Sequence, residues 1–374
     1  MLKALQDDEH SRWNSQASQV QSSPAARKLD LLWVGGEGGI EVDLLDREKI
    51  PFTTIPAAGV HGVGLRALPS NLWQIFKGFF AARRVIKDFQ PQVMFFTGGY
   101  LAVPVALAGR LIGSRNSKPR TLLYVPDIEP GLALRTLARL SDQIALTVEE
   151  SMNYFSDTTK LRVTGYPARQ DLRTWDIYEA RQAFGLNPDL PTLLVFGGSK
   201  GARSINRALI ALLPELLASM QIIHISGHLD WQEVKAAKAK LSGEQDSRYH
   251  AYPYLYEEMG AALSVADLVI SRAGASVLGE FPLFGLPAIL VPYPHAWRYQ
   301  EVNARFLERK GAAQVLYDDE LSAQMLTTVI DLMSDRNRRE NMRLAMLSLA
   351  TPHAAESIAD LLHGLVPMPS LGGI

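Results

Sequence analysis

The 374-residue chain contains no cysteine, which excludes disulfide frameworks, thiolate zinc sites, iron–sulfur clusters and cysteine nucleophiles. It also lacks a charge excess of either sign: 38 Lys and Arg stand against 39 Asp and Glu, a net charge of −1. Binding a phosphodiester backbone needs a cationic surplus, so nucleic acid is not an expected partner. No apolar run approaches the roughly 18 residues of a membrane-spanning helix. The opening 1–6, followed by Asp7, Asp8 and Glu9, does not read as a signal peptide. A protein soluble or peripheral to a membrane is therefore expected. What the chain does have is apolar mass, 47% hydrophobic against 21% charged residues. At this length that mass should divide between two domains of roughly 150 to 200 residues.

Segment 11–28 is rich in Ser, Gln and Ala without hydrophobic periodicity and reads as an exposed loop. From Leu29 onward short apolar runs alternate with longer helical patterns, as βα units do when they build a parallel sheet. A first series places strands at 29–34, 52–55, 93–96, 121–125, 143–147 and 161–163. A polar stretch at 170–191 interrupts the alternation and reads as a linker. The second series places strands at 192–196, 221–226, 251–254, 268–271, 288–291 and 314–316, and 331–365 reads as helical. The expected fold class is α/β: two Rossmann-like doubly wound domains, 1–165 and 166–350, facing a cleft, with a helical tail at 351–374 packing back on the first. Two-Rossmann glycosyltransferases are built this way. Composition and periodicity alone do not choose them over a two-domain dehydrogenase or a periplasmic-type binding protein.

Several segments carry chemistry. Strand 192–196 runs into Gly197-Gly198-Ser199-Lys200-Gly201 and then a helix expected over 203–218. Free amides at such a helix start, beside Ser199 and Lys200, suit a phosphate or diphosphate, although a plain tight turn is the equal alternative. No Walker A spacing is present. Strand 268–271 leads in the same way to Arg272, able to meet a phosphate, and to Glu280, expected two turns into a helix and able to accept hydrogen bonds from ribose hydroxyls, with a surface Arg and a half-buried Glu as the plain alternative. Gln300 and Asn303, three apart, share a helix face, and uncharged amides there suit sugar hydroxyls or cap a turn. In the first series, Gly98-Gly99-Tyr100 lets backbone approach a ligand closely. Gly35-Gly36-Glu37-Gly38-Gly39 lacks the dinucleotide-binding spacing. Asp127 and Glu129 follow another strand as either acid/base groups or helix caps.

The stretch 66–87 holds five basic residues (Arg66, Lys77, Arg83, Arg84, Lys87) and no acidic one. Leu72, Ile75, Phe76, Phe79 and Phe80 recur at helical spacing with Trp73 beside them. Such a helix could lie on an anionic membrane surface or pack on a sheet, and its three Phe exceed what a single sheet contact needs.

Taken together, these segments resemble the MurG family, which adds N-acetylglucosamine to lipid I in bacterial peptidoglycan synthesis. The resemblance spans about 35–351. It rests on the order and spacing of Phe95-Phe96-Thr97-Gly98-Gly99-Tyr100, Gly165-Tyr166-Pro167-Ala168-Arg169, Gly197-Gly198-Ser199-Lys200-Gly201-Ala202-Arg203, Arg272-Ala273-Gly274-Ala275 and Pro292-Tyr293-Pro294-His295-Ala296. It implies a GT-B fold, with UDP-GlcNAc held by the C-terminal domain. The lipid-linked acceptor would dock through the N-terminal domain at the cytoplasmic face of the cell membrane, with Tyr100 on that acceptor side. By the same resemblance, Ser199 would touch the diphosphate and Arg169 would reach into the donor site. Leu255 would lie by the uracil through its backbone, Glu280 would hold the ribose and Gln300 would meet the sugar. Asn206 and Arg272 match positions near that pocket, and Asn303 joins the donor-site candidates through the helix face it shares with Gln300. Leu72, Trp73, Phe76, Phe79, Arg83 and Arg84 would face the membrane.

The chain departs from the family in three places. The family opens with a strand and a Gly-Gly-Thr-Gly-Gly-His loop whose His is a proposed base, whereas this chain starts on 1–6, which resembles the end of the following helix. The chain thus reads as one whose start lies upstream. Tyr124-Val125-Pro126-Asp127 stands where the family has His-Glu-Gln-Asn, and Tyr299-Gln300 replaces a Gln-Gln pair. The implied reaction is an inverting transfer that needs no metal or other cofactor, with Asp127 as substitute base. The rivals are transfer of a UDP-sugar to another lipid and a catalytically silent nucleotide-sugar-binding protein.

Overall fold

The computed structural model describes residues 29–37, 45, 49–56, 68–112, 118–198, 201–295 and 298–366, with the backbone alone at 68–72. The expected loop at 11–28, the Leu72 side chain, Ser199 and Lys200 lie outside what is described. The chain divides into two compact units. One runs to Pro126 and resumes at Pro130–Thr164 and from Ala355; the other comprises Asp127–Glu129 and Gly165–Ala354.

The first unit pairs β1 (Trp33–Gly36) with β2 (Phe52–Ile55) in parallel and orders β3 (Val93–Phe96), β4 (Arg120–Val125), β5 (Gln143–Leu146) and β6 (Leu161–Val163) sequentially in a second parallel sheet. Helices α1 (Leu68–Phe89), α2 (Ala102–Leu111) and α3 (Leu132–Leu140) belong to it. Its core gathers Ile55, Ala82, Ile86, Met94, Leu123, Leu137 and Leu146. The buried stripe of α1 is Gly78, Ala82 and Ile86, at a spacing of four, with Phe79 and Val85 partly packed against the same core. Gly78 is required there, because a Cβ would stand 2.5 Å from the Pro56 carbonyl oxygen.

The second unit is a six-stranded parallel sheet. In sequence its strands are β7 (Thr192–Phe196), β8 (Gln221–Ile225), β9 (Tyr249–Tyr252), β10 (Leu268–Ser271), β11 (Ala288–Leu290) and β12 (Ala313–Val315), and in space they run β12-β11-β10-β7-β8-β9. Numbered within the unit this is 6-5-4-1-2-3, the doubly wound Rossmann order, whose direction reverses between β7 and β10. Strands covered on both faces need continuous apolar runs. Leu193, Leu194, Val195, Leu268, Val269 and Ile270 are accordingly all fully buried.

Around this sheet stand α4 (Ile177–Phe184), α5 (Arg203–Ala211), α6 (Leu213–Leu216), α7 (Trp231–Lys238), α8 (Gly243–Ser247), α9 (Met259–Val265), α10 (Glu280–Phe284), α11 (Tyr299–Arg309), α12 (Leu321–Ser334) and α13 (Arg336–Leu347); α14 (Ala354–Leu365) follows.

Several expectations need correcting. The helix expected over 203–218 breaks at Leu212, where Pro214 starts a new turn. The long helix expected over 331–365 is three, divided by Asp335, whose side chain caps α13, and by the stretch before α14 that holds Pro352. Stretch 170–191 is no free linker: Leu172, Ala180 and Phe184 are buried, and α4 packs on α9.

Candidate functional site

All six strands of the second unit end on one row. Val315, Leu290, Ser271, Phe196, Ile225 and Tyr252 are successive register partners across the sheet. The chain therefore leaves β7 at Gly197 and β10 at Arg272 side by side, at the switch point where such sheets bind ligands. The turn after β7 is closed by the Gly201 N–H donating to the Gly198 carbonyl at 2.9 Å. Gly201 has φ +77°, and a Cβ there would stand 2.2 Å from the Ser226 carbonyl oxygen, so only glycine fits. Helix α5 begins directly beyond, and its first-turn amides have no partner within the helix.

Beyond β10 a short 3₁₀ turn, Ala275–Leu278, delivers Glu280 as the first residue of α10, earlier in its helix than the two turns expected. A cluster of titratable groups meets there. Burial pushes the Glu280 carboxyl up to about 7, with Arg169 and a hydrogen bond from Ser276 opposing the rise. Tyr166, which packs so closely on Gly279 that a Cβ would stand 2.5 Å from it, is pushed up to about 12 by burial and then by Glu280 and Asp127. Asp127 is likewise raised by burial and held back by its hydrogen bond to Asn303. Asn303 is fully buried: its Nδ2 donates to Asp127 Oδ1 at 2.8 Å and to the Ala273 carbonyl at 3.2 Å, and its Oδ1 accepts from the Ile128 amide at 3.2 Å. It therefore acts as a clamp on 127–128. Arg169 is exposed, with Nη2 donating to the Tyr256 carbonyl at 3.3 Å, which ties it to the turn that carries the buried Leu255.

Two residues expected near a ligand turn instead into the protein. Asn206 is buried: Nδ2 donates to the Ser226 carbonyl and to Asp230 Oδ2, both at 2.9 Å, and Oδ1 faces His224 Nε2 at 3.0 Å. Since that oxygen can only accept, Nε2 carries the proton and Nδ1 accepts from the Tyr249 hydroxyl at 2.6 Å. Burial holds His224 down to about 3, so the ring is neutral. Arg272 pairs with Asp318 and bonds Ser204, Val291 and Pro292. Gln300 Oε1 accepts from the Tyr293 amide at 2.9 Å, holding the chain after β11 against the first turn of α11.

In the first unit, Tyr100 is exposed just after the Gly98-Gly99 turn. On α1 the aromatics form a ladder. Trp73 stacks on Phe76, with ring centroids 5.7 Å apart, and Phe76 meets Phe80 edge-on at 4.8 Å. Trp73 is 57%, Phe76 52% and Phe80 49% exposed, and Lys77 lies over the Trp73 ring at 5.6 Å. Arg83 and Arg84 are exposed, whereas Phe79, expected on the outer face, is half-buried against the core.

Comparison with known proteins agrees with this frame. The glycosyltransferase family 28 N-terminal domain matches residues 25–116 and its C-terminal domain matches 192–361. The UDP-N-acetylglucosamine--N-acetylmuramyl-(pentapeptide) pyrophosphoryl-undecaprenol N-acetylglucosamine transferase of a Roseiflexus species is 40% identical over 90% of this chain and 83% of its own length. The transferase of the same name from Chlorobaculum parvum is 37% identical over 88% of this chain and 89% of its own. The crystal structure of MurG from Acinetobacter baumannii superposes with a TM-score of 0.70 at 25% identity, covering 95% of this chain and 94% of that one. The chain belongs to the MurG family. Its fold is therefore GT-B, and it is a glycosyltransferase.

In this MurG-family chain the strand-end row brings Gly197, Gly198 and Arg272 together, while Glu280 and Asp127 both act on Tyr166, with Arg169 beside Glu280 and Asn303 bonded to Asp127. Tyr166, Ser204 and Asp318 were not singled out from sequence. Tyr166 sits inside the Gly165-Tyr166-Pro167 motif and could have been found there. Asp318 carries no local signal, because its partner is 46 residues away.

Proposed function

We propose that the chain transfers N-acetylglucosamine, with inversion, from UDP-GlcNAc to undecaprenyl-diphospho-N-acetylmuramoyl-pentapeptide, the acceptor class named for its relatives. The observation that carries the donor half is the switch-point row: a glycine turn and helix start that suit a diphosphate, with the Glu280 carboxylate nearby on α10 to take the ribose hydroxyls. Ser199 and Arg169 would serve the diphosphate, Leu255 the uracil and Gln300 the sugar hydroxyls. The second unit is thus the donor domain, and the first is the acceptor and membrane-side domain, with Tyr100 on the acceptor side.

In the reaction, the acceptor hydroxyl oxygen bonds to C1 of the sugar as the bond from C1 to the UDP diphosphate breaks on the opposite face. Asp127 takes the hydroxyl proton. Burial raises its affinity for that proton, and Asn303 fixes one carboxylate oxygen so that the other can face the acceptor. UDP leaves into the positive end of α5. The aromatic ladder of α1, with Lys77, Arg83 and Arg84 on the same helix, rests on the anionic cytoplasmic face of the membrane, where the acceptor is anchored. Among the described residues no helix is long and apolar enough to cross it.

Labelled UDP-GlcNAc and the lipid acceptor test the reading directly. Transfer should occur with inversion at C1, and Asp127→Asn should lower kcat about 10² to 10⁴-fold while leaving UDP affinity near that of the parent. Transfer to a different lipid would overturn the acceptor assignment, and UDP binding without transfer would overturn the enzyme.

A further inference from the structure

Arg272 stands at the switch point, where a free guanidinium would be the obvious partner for a diphosphate. Its hydrogen bonds run into the protein instead. Nη1 donates to Asp318 Oδ1 and to the main-chain carbonyls of Val291 at 3.2 Å and Pro292 at 3.4 Å, and Nη2 donates to Ser204 Oγ at 2.7 Å. Ser204 Oγ in turn donates to Asp318 Oδ1 at 2.9 Å, which closes a three-membered ring of side chains. The ion pair is largely desolvated, with side chains 10% and 27% exposed, so the two charges compensate each other strongly. The guanidinium carbon lies over the Tyr293 ring, 5.2 Å from its centroid, within cation–π range.

This ring joins four strand ends. Ser204 is in the first turn of α5 after β7, Arg272 directly follows β10, Val291 to Tyr293 follow β11, and Asp318 follows β12. Beside it a hollow of about 340 Å³, lined by Ser204, Arg207, Ala208, Leu212, Asp318 and Leu321, opens between α5 and α12. The first turn of α5 is thus anchored on two sides, by the bonds of Arg203 and Asn206 to Asp230 on one and by the Ser204–Asp318–Arg272 ring, next to the hollow, on the other.

We infer that Asp318 is a positioning residue of the donor site. It neutralises Arg272 and, through Ser204, sets the first turn of α5 and the glycine turn ahead of it, where the diphosphate docks. Arg272 is then a cross-brace between strand ends, and not itself a diphosphate ligand. The assignment rests on the donor-site reading proposed above.

Asp318→Asn separates the alternatives by sign, because it removes the countercharge while keeping the size of the side chain. If Arg272 were a ligand restrained by Asp318, the variant would free a cation and bind UDP more tightly. If Arg272 is a brace, the loosened α5 start binds UDP more weakly. Calorimetry with UDP and with uridine, beside thermal melting, reads the difference. The brace predicts UDP affinity lower by about tenfold, equivalent to about 1.4 kcal/mol, with uridine affinity within about twofold of the parent, since only the phosphate cradle has moved. A general structural defect would weaken both ligands together and would overturn the inference, as would unchanged or tighter UDP binding. Ser204→Ala, which removes one hydroxyl and leaves the ion pair, should show a smaller loss of the same sign; should Asp318→Asn fail to fold, unchanged UDP affinity in Ser204→Ala decides against the brace. A parent protein that takes up no UDP overturns the donor-site reading itself and this inference with it, whereas normal UDP uptake by parent and variant alike overturns the inference alone.

Discussion

Glu280 shows how much of a residue's chemistry is conferred by its surroundings. In an unfolded chain its carboxyl titrates near 4.5, and burial in the second unit lifts it to about 7. Between those values the native state holds a proton that the unfolded state has lost, so this group's contribution to stability is complete below about 4.5 and disappears as pH rises through about 7. Glu280→Gln should therefore flatten the fall in stability between those two pH values, measured by denaturant unfolding across the range. Ribose hydroxyls bond best to the ionised carboxylate, so UDP binding should release a proton below pH 7 and tighten as pH rises toward 8, an effect that calorimetry in buffers of different ionisation enthalpy will detect. Glu280→Ala should weaken UDP by about 1.5 to 3 kcal/mol, the usual worth of hydrogen bonds to a charged group. Unchanged affinity with a normal melt would leave Glu280 a structural carboxyl. None of the pKa rise is legible in sequence, which shows a Glu two glycines past Arg272 but not the burial that causes it.

At the scale of elements, legibility follows local physics. Strands 52–55, 93–96, 161–163, 192–196 and 268–271 read correctly to the residue, because short apolar and β-branched runs bounded by turn residues have few alternatives. Strand β9 lies two residues earlier than expected, since Pro253 offers no N–H to the ladder and ends it at Tyr252. The clamp of Asn303 on 127–128 spans about 175 residues of sequence and leaves no local trace. Helix α1 is the instructive middle case. Its periodicity is plain, but which apolar face is buried depends on Gly78, whose lack of a side chain brings the helix down on Pro56 and turns Trp73, Phe76 and Phe80 outward. The chain should accordingly sediment with anionic liposomes, less so as salt shortens the screening length to about 8 Å at physiological ionic strength, and weakly with neutral ones. Phe76→Ser with Phe80→Ser should remove that binding without lowering the melting temperature. Phe79→Ser, in contrast, should cost about 2 kcal/mol of stability and keep the lipid binding. If the outer pair proved destabilising instead, the exposed ladder would be a packing surface and the membrane assignment would fail.

Among the described residues, one hydrophobic core gathers around Leu123, Leu137 and Leu146 and another around Leu193, Leu268 and Ile289, each within its own unit. Separate cores permit a division of labour in which one unit binds the soluble nucleotide and the other the membrane-bound acceptor. Hydrogen exchange tests that division, because each amide reports the stability of the core that protects it. A ligand that binds only the native second unit stabilises it by mass action, by about 2.7 kcal/mol at a hundred times its Kd. UDP at that excess should therefore slow exchange in β7, β8 and β10 by up to this amount wherever exchange proceeds through opening of that unit. The amides of β3, β4 and β5 should exchange as before, and anionic liposomes should do the reverse, protecting α1 and leaving β7 unaltered. Equal protection of both sheets by UDP would mean that the two cores open as one, and protection confined to β3–β5 would place the nucleotide in the wrong unit. The first result would remove the thermodynamic basis for assigning the two substrates to separate cores, while the second would overturn the donor site itself.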